Sequence, residues 1–454
     1  MNSITIIKNE INENPHLPFY VNFVKALQKG IENNSLKIGA HLPTHRQLAE
    51  ELSLSLGTVT RAYREAQKYS LISAVIGRGT IISSPSNNID IVSEQQKYYD
   101  LSFISPFEFL NPSLEDALKH INIQDKELLK YHEPRGMLRH RKAGAMWTKK
   151  FGVPASEENI LVCAGAQHAL LSLLIGLFRA GDKIAAEAIT YPLLKELCQR
   201  LSLQLCPIKT DESGIIPEHF ALACKNGDIK GLYLMPSCQN PTLTQLPEFR
   251  RQALIEICRK YNVKIIEDDV YALSLEQKLP PLTSLCPERT FFIASTSEAI
   301  SGGLRIAYIT SPDEYLETIE QSIGYSISMA VPLMAEIASY WIESGIAEQN
   351  LWAKKEEAAA RNVLARRIFD GFSLETRSTG FYAWLNLPPP WTNEQFTKTA
   401  KEHGVLVADC TQFSLYSPPE KHAARLAICG IESKEELSHA LTILASILRS
   451  FPQQ

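Results

Sequence analysis

Five short apolar runs alternate with helical stretches through most of this 454-residue chain. The runs are rich in β-branched and aromatic residues and lie at 160–163, 183–186, 231–235, 263–267 and 290–294, so each is predicted to be a buried strand. Strands separated by helices are joined by right-handed crossovers and pair in a mainly parallel sheet. The sequence therefore predicts an α/β fold, with ligands bound where the strands end.

The residues that follow these strands can together hold a flat ligand that carries a phosphate. Ala166 and Gln167 begin a predicted helix, whose first N–H groups and dipole favour an anion. Further along, Tyr191 could stack on a planar ring, and Asn240, Asp268 and Tyr271 could hydrogen-bond to a pyridine-like ring. Arg425, late in the chain, could bind a carboxylate. Singly each signal is weak, because an aspartate at a strand end is usually a cap and an arginine on a strand usually forms a surface ion pair.

The stretch RTFFIASTSEAISGGLRIAYI, residues 289–309, adds a second phosphate-binding pattern. Its first predicted strand ends in a hydroxyl-rich turn that contains Ser295 and Ser297. Two glycines then permit a sharp change of direction before Arg305 and a second strand at 306–309. A hydroxyl-rich turn beside an arginine can hold a phosphate.

In order and spacing, the segments GAQ, QNPT, EDDVY, STSE and GLR resemble the fold-type-I pyridoxal-phosphate (PLP) aminotransferases. The pattern of that family is Ser-x-Ser-Lys, a short spacer and Gly-Leu-Arg-x-Gly-Tyr, in which the lysine forms the Schiff base with PLP. Here the lysine position holds Glu298. A carboxylate cannot form an imine, so the resemblance implies the pocket without its covalent anchor.

The resemblance also implies a role for each matching residue. Tyr191 would stack on the PLP ring, Asp268 would face the ring nitrogen, and Asn240 and Tyr271 would face the ring hydroxyl. The phosphate would be held by Ala166, Gln167, Ser295, Ser297 and Arg305, with Tyr131 reaching it from the partner subunit. Arg425 would bind the carboxylate of an amino-acid effector.

The first 84 residues have a different pattern, with helices predicted at 16–34, 46–52 and 57–69 and a β-hairpin at 71–82. Thr44 is the predicted N-cap of the second of these helices. Helix-turn-helix followed by a β-wing is a DNA-binding arrangement whose recognition helix enters the major groove. The residues expected to contact DNA are Arg46, Thr58, Thr60, Arg61, Arg64, Arg78 and Gly79. The alternative is a small helical domain whose arginines only solvate its surface.

The segment LPTHRQLAEELSLSLGTVTRAYREAQKYSLISAVIGRGTII resembles the GntR-type DNA-binding domain along its whole length. Together with the aminotransferase-like part, the chain resembles the MocR class of GntR regulators. That class implies a winged helix-turn-helix domain at 1–84, a linker at 85–100 and a fold-type-I aminotransferase-like domain at 101–454 that binds an effector and dimerises. The expected partners are a double-stranded DNA operator, a small-molecule effector and a second copy of the chain.

Charge and cysteine usage agree with such a regulator. Residues 1–85 carry nine Lys and Arg against six Glu, a net charge of +3, which leaves −7 on the rest of a chain whose total is −4. Nine cysteines without a CxxC pair are typical of reduced thiols in the cytosol. The N-terminus lacks the basic start and apolar core of a signal peptide, and no 18-residue apolar run exists. We expect a cytoplasmic protein with no metal site and no membrane span.

Three functions remain open at this point. The first is a DNA-binding regulator whose body senses a vitamin B6 form non-covalently, because Glu298 can pair with the ammonium of pyridoxamine phosphate (PMP) or with a preformed PLP–amino-acid adduct. The second is a PLP-fold enzyme with a DNA-binding appendage, which the missing lysine disfavours. The third is an empty, degenerate scaffold used only for dimerisation. A deliberate replacement of lysine by glutamate is compatible with the same sequence.

Overall fold

The computed structural model describes residues 3–14, 17–33, 35–37, 39–68, 71–75, 79–82, 98–276 and 279–450. The chain divides into two compact units, Met1–Lys97 and Tyr98–Gln454. The proposed linker at 85–100 falls almost wholly outside the described residues, as does Arg78.

The first unit contains four helices and a hairpin within its described residues. They are α1 Ser3–Glu13, α2 Phe19–Glu32, α3 His45–Leu52, α4 Leu56–Lys68, β1 Ile72–Val75 and β2 Gly79–Ile82. The strands β1 and β2 pair antiparallel, as the predicted wing requires. Thr44 caps α3 in a capping box with Gln47, which fixes where that helix begins. Helix α1 was not predicted, although Ile4, Ile7 and Ile11 have helical spacing and Ile7 is fully buried.

The second unit begins with β3 Tyr99–Leu101, α5 Leu114–His120, α6 Leu138–Lys149, β4 Ile160–Cys163, α7 Ala166–Leu177, β5 Lys183–Glu187, α8 Pro192–Arg200 and β6 Gln204–Ile208. It continues with β7 Thr210–Asp211, β8 Gly214–Ile215, α9 Pro217–Gly227, β9 Ile229–Leu234, α10 Glu248–Tyr261, β10 Lys264–Asp268, α11 Leu282–Leu285, β11 Thr290–Ser295 and β12 Ala307–Thr310. It ends with α12 Leu316–Ile327, α13 Pro332–Glu343, α14 Ile346–Ile368, β13 Leu374–Glu375, β14 Ala383–Asn386, α15 Asn393–Glu402, β15 Val405–Asp409, β16 Ala423–Leu426 and α16 Lys434–Ser450.

A seven-stranded sheet forms the centre of this unit, in the order β4-β12-β11-β10-β9-β5-β6. Strand β12 runs antiparallel to both of its neighbours, and the other pairs are parallel. All residues of β4 and β11 are buried, because helices cover both faces of such a sheet. The α/β prediction is confirmed, and its strands lie within two residues of their predicted limits.

A smaller five-stranded sheet, in the order β13-β14-β16-β15-β3, forms the C-terminal subdomain with α15 and α16. Strand β3 comes from the start of the unit and pairs in parallel with β15, which the sequence did not indicate because β3 is only three residues long. Helix α14 spans 23 residues and contacts both subdomains, since its Lys354 donates to the carbonyl oxygen of Ile300 in the large one and its Arg361 to that of Ile428 in the small one. None of the helices in the described ranges is long and apolar enough to cross a membrane.

Candidate functional site

A cavity of about 510 Å³ lies at the carboxyl ends of the central strands. Ten of the residues singled out in the sequence line it: Ala166, Gln167, Tyr191, Asn240, Asp268, Tyr271, Ser297, Glu298, Arg305 and Arg425. Two candidate phosphate ligands do not. Ser295 is buried at the end of β11, where its hydroxyl accepts a hydrogen bond from the Ser297 N–H, so it shapes the turn behind the cavity. Tyr131 lies on the surface with 89% of its area exposed.

The first corner of the cavity is cationic. Helix α7 begins at Ala166 with no acidic residue in its first turn, so its first N–H groups favour an anion. Arg305 donates from Nη1 to the hydroxyl of Ser297 at 3.3 Å. Gly165 has a φ of +85°, and a Cβ there would lie 2.2 Å from Arg305 Nη2, so only glycine lets the guanidinium approach the helix. This corner has the charge and the space for a phosphate.

A buried carboxylate lies at the end of β10. The phenol of Tyr233 donates to Oδ2 of Asp268 at 2.7 Å, whereas Oδ1 is buried and has no hydrogen-bond partner among the described residues. Burial, helped by the nearby Glu298 carboxylate and opposed by the hydrogen bond from Tyr233, raises the pKa of Asp268 to about 7. An unpaired buried carboxylate oxygen fits a ligand that donates a proton or carries a positive charge.

Aromatic side chains form part of the wall. Gln167 Nε2 donates to the phenol oxygen of Tyr191 at 3.1 Å, which orients that ring. Tyr271 is buried and packs edge to face against Tyr382, with ring centroids 5.2 Å apart. Burial raises the pKa of both Tyr191 and Tyr271, so both phenols stay neutral and able to donate.

Glu298 occupies the turn between the hydroxyl-rich segment and the two glycines. Its Oε2 is buried without a hydrogen-bond partner in the described part of the chain, and burial raises the pKa of its carboxyl. The pKa of Glu298 is lowered in turn by a hydrogen bond with Ser295 and by the positive charges of Arg305 and Lys354. The result is a carboxylate that has positive charges around it and one oxygen free for a donor.

Lys354 is the residue that sequence reasoning missed. It lies on α14, is fully buried, and donates from Nζ to the carbonyl of Ile300 at 2.9 Å and to Asn111 Oδ1 at 3.0 Å. Burial lowers its pKa to about 8, against the effect of Glu298. No motif surrounds it, and 56 positions separate it from Glu298, so only the fold brings the two charges into one network.

Arg425 on β16 closes the cavity from the small subdomain. It donates from Nη1 to Asn240 Oδ1 at 3.0 Å and from Nη2 to the carbonyl of Ser102 at 2.6 Å, and its Nε is buried without a partner among the described residues. The guanidinium carbon lies 5.0 Å from the ring centroid of Phe413. An incoming carboxylate would therefore compete with Asn240 for this arginine.

The candidate DNA contacts lie on α3 and α4 of the first unit. Arg46, Arg61 and Arg64 are exposed, and Arg61 rests over the ring of Tyr20 at 4.4 Å. Thr58 and Thr60 are half-buried; the Thr58 N–H donates to Ser55 Oγ, and the Thr60 hydroxyl lies 3.3 Å from His45 Nδ1. Gly79 begins β2, and the wing-tip residue Arg78 is outside the described ranges.

Comparison with known families places both units. The family model of aminotransferase class I and II matches residues 107–444, and that of the bacterial regulatory proteins of the gntR family matches residues 19–82. The chain is 31% identical to the HTH-type transcriptional regulator YdeF of Bacillus subtilis, over 95% of this chain and 94% of that protein. This chain belongs to the MocR-type regulators of the GntR family.

Other similarities agree with this assignment. The MocR-type chain is 28% identical to the HTH-type pyridoxine biosynthesis transcriptional regulator PdxR of Corynebacterium glutamicum, over 66% of this chain and 68% of that protein. Its fold matches the kynurenine aminotransferase of Pyrococcus horikoshii with a TM-score of 0.73, at 20% identity over 80% of this chain and 93% of the other. An archaeal alanine:glyoxylate aminotransferase matches equally, with a TM-score of 0.73 at 23% identity over 79% and 92% of the two chains. This MocR-type protein is a transcriptional regulator with an aminotransferase-like domain.

Proposed function

We propose that this MocR-type protein is a cytoplasmic regulator whose aminotransferase-like domain senses a vitamin B6 form without a covalent bond. The observation that carries the proposal is a pair of carboxylates in one cavity whose buried oxygens, Oδ1 of Asp268 and Oε2 of Glu298, have no hydrogen-bond donor among the described residues. A phosphorylated pyridine that bears an amine supplies two donors.

The residues present fit such a ligand. Arg305, Ser297 and the start of α7 would hold its phosphate in the cavity that Gly165 keeps open. Asp268 would pair with the protonated ring nitrogen, Tyr191 would stack on the ring, and Asn240 and Tyr271 would face its hydroxyl. PLP supplies an electrophilic aldehyde to enzymes that hold it through a lysine. In this chain Glu298 stands at the position that this lysine would occupy, and none of the described residues that line the cavity is a lysine.

The same residues argue against aminotransferase activity. Transamination requires an amine that captures the aldehyde and then transfers the α-proton. Glu298 can accept a proton but cannot capture the aldehyde. Lys354 lies outside the cavity lining, and its Nζ is already hydrogen-bonded to Ile300 and Asn111. We therefore propose a binding protein and not an enzyme.

The charge of Glu298 sets a preference between B6 forms. We expect PMP to bind about 10- to 100-fold more tightly than PLP, because its ammonium forms a charge-assisted hydrogen bond with Glu298 worth roughly 1.5–3 kcal/mol. Isothermal titration calorimetry of the two ligands measures the ratio. Glu298→Gln is the matched control and should bring the two affinities close together. Equal binding of PMP and PLP to the unaltered chain, or binding of neither, would contradict the proposal.

We also propose that the protein acts on DNA as a homodimer. Leu129, Tyr131 and Ile123 expose 90%, 89% and 62% of their areas, and so many large apolar side chains on one segment favour a covered surface. The dimer would bring two winged helices to paired half-sites, with Arg46, Thr58, Thr60, Arg61, Arg64, Arg78 and Gly79 at the DNA.

Truncation of the chain after Ile82 tests this arrangement. The fragment is expected to bind an operator about 100-fold more weakly than the full chain or worse, because it loses the effective concentration that a tethered second domain provides. Fluorescence anisotropy with a palindromic operator measures the difference. A palindrome cut to one half-site is the control, and there the fragment and the full chain should bind alike. Undiminished affinity of the fragment for the palindrome would argue against the dimer.

A further inference from the structure

A second cavity, of about 540 Å³, lies where β5 and the segment after β9 meet β13 and β14 of the small subdomain. None of the described residues that line it lines the first cavity. Its wall is polar and carries both signs of charge: Glu187, Asp211, Glu212 and Glu375 against Arg377 and Lys421. Its size is in the range of small-molecule pockets. Nothing in the vitamin-binding proposal uses it.

Glu187 is the unusual group in this cavity. It is the last residue of β5, its side chain is only 9% exposed, and no cation in the described residues lies within ion-pair distance of it. Burial raises the pKa of its carboxyl to about 7, and the amide of Gln239 offsets this only in part. By contrast, Asp211 in the same wall is paired with Arg250 at 2.6 Å. A buried carboxylate with no counter-ion is unfavourable, so a cation that completes the pair stabilises the ligand-bound state.

Neither Arg377 nor Lys421, the two cations of the wall, forms an ion pair with Glu187. Arg377 donates from both Nε and Nη2 to the carbonyl oxygen of Leu243. Lys421 is exposed and makes no ion pair with any described carboxylate, Glu187 included. No cation of the described residues therefore neutralises an ionised Glu187, and a bound ligand can supply that positive charge.

We propose that this second cavity binds a small molecule through an ammonium group that pairs with Glu187. Asp211 is neutralised by Arg250, and the three remaining carboxylates of the wall exceed its two cations by one negative charge when Glu187 is ionised, which attracts a cationic ligand. The Thr242 hydroxyl donates to Gln239 Oε1, so the Thr244 hydroxyl, 2.9 Å away in the same wall, donates to Thr242 and can itself accept a further N–H or O–H donor. Either a simple amine or the α-ammonium of an amino acid supplies this chemistry.

Residues that line the second cavity are next to, or pack against, residues that line the first. Gln239 lines the second cavity and the next residue, Asn240, lines the first, where it accepts from Arg425. Trp384 of the second cavity packs edge to face on Phe413 of the first, with centroids 6.1 Å apart. A ligand at Glu187 therefore lies one layer of side chains from the vitamin site, which suits an effector that changes the affinity of that site.

Calorimetric titration of the full chain at pH 8, with 1,4-diaminobutane in one series and L-alanine in another, tests the proposal. At least one of the two should bind saturably, and the one that does identifies a simple amine or an amino acid as the source of the ammonium. Glu187→Gln should weaken that binding at least tenfold. Glu196→Gln, which removes an exposed carboxylate on α8, is the matched control and should bind like the unaltered chain. Absence of saturable binding in both series, or equal affinities of Glu187→Gln and the unaltered chain, would overturn the proposal.

A second measurement needs no variant and so does not depend on whether Glu187→Gln folds. At pH 7 the unaltered chain should release protons when the amine binds, because the ammonium ionises a carboxyl that is partly protonated. Titrations in two buffers of different ionisation enthalpy report that release. Binding without proton release would place the amine elsewhere and overturn the assignment to Glu187.

Discussion

Replacement of Glu298 by lysine is expected to make the protein bind PLP covalently, through a Schiff base in the cavity. The new amine would stand beside the cations Arg305 and Lys354, whose charges lower its pKa and increase its reactive neutral fraction. The variant should retain about one PLP per chain through desalting, absorb in the visible range and, after borohydride reduction, carry the added mass on the peptide that contains residue 298. The unaltered chain should release PLP under the same conditions.

Glu298→Gln is the matched control for this experiment. It removes the negative charge without adding an amine, so any retention of PLP that depends on charge alone would appear in both variants. Retention only in Glu298→Lys means that the other cavity residues still form a B6 site. If Glu298→Lys releases PLP as readily as Glu298→Gln does, the cavity is not a site for PLP and the scaffold interpretation gains support.

Replacement of Asp268 by asparagine is expected to weaken PMP binding and to stabilise the empty protein. The bound ring nitrogen would lose its buried counter-charge, a loss of about 2–3 kcal/mol that corresponds to roughly a 100-fold higher Kd. In the empty protein, the pKa of Asp268 is raised from 3.8 to about 7, so ionisation at high pH opposes folding. Removing the charge should recover up to roughly 4 kcal/mol of unfolding free energy at pH 8.

The stability gained by Asp268→Asn depends on pH. The native carboxyl keeps its proton between pH 3.8 and about 7 while the unfolded one loses it, so the unaltered chain loses stability as pH rises through that window. The advantage of Asp268→Asn should therefore be near zero below pH 3.8, grow through the window and be complete above pH 7. Urea denaturation at pH 5 and pH 8 measures it. Tyr233→Phe removes the donor to Oδ2 and should act in the opposite direction at pH 8. Full PMP affinity in Asp268→Asn would exclude the proposed ring contact.

Local sequence was sufficient for most secondary structure and for the family. The strand runs are apolar on both faces, which happens only where helices cover a sheet on both sides, and this pattern predicts a mainly parallel sheet. Thr44 with Gln47 marks a helix start that any chain with those residues favours. The turns that follow the strands carry the cavity residues, because parallel strands end at one edge.

Other features depend on contacts between distant segments. Strand β3 is three residues long and has a definite pairing only because β15 is beside it. Ser295 was expected at the phosphate, yet the turn directs its hydroxyl to the Ser297 N–H, which is a matter of backbone path and not of residue type.

The two-unit regulator and the aminotransferase-like fold follow from local patterns in the amino-acid sequence, and the carboxylate at position 298 follows from a single residue type. Contacts between distant segments bring Lys354 near Glu298, hold Arg425 on Asn240, and bury Glu187 where no cation of the described residues pairs with it. The physical reason is that the energy of a buried charge is set by what surrounds it in space, and those neighbours are far away along the chain.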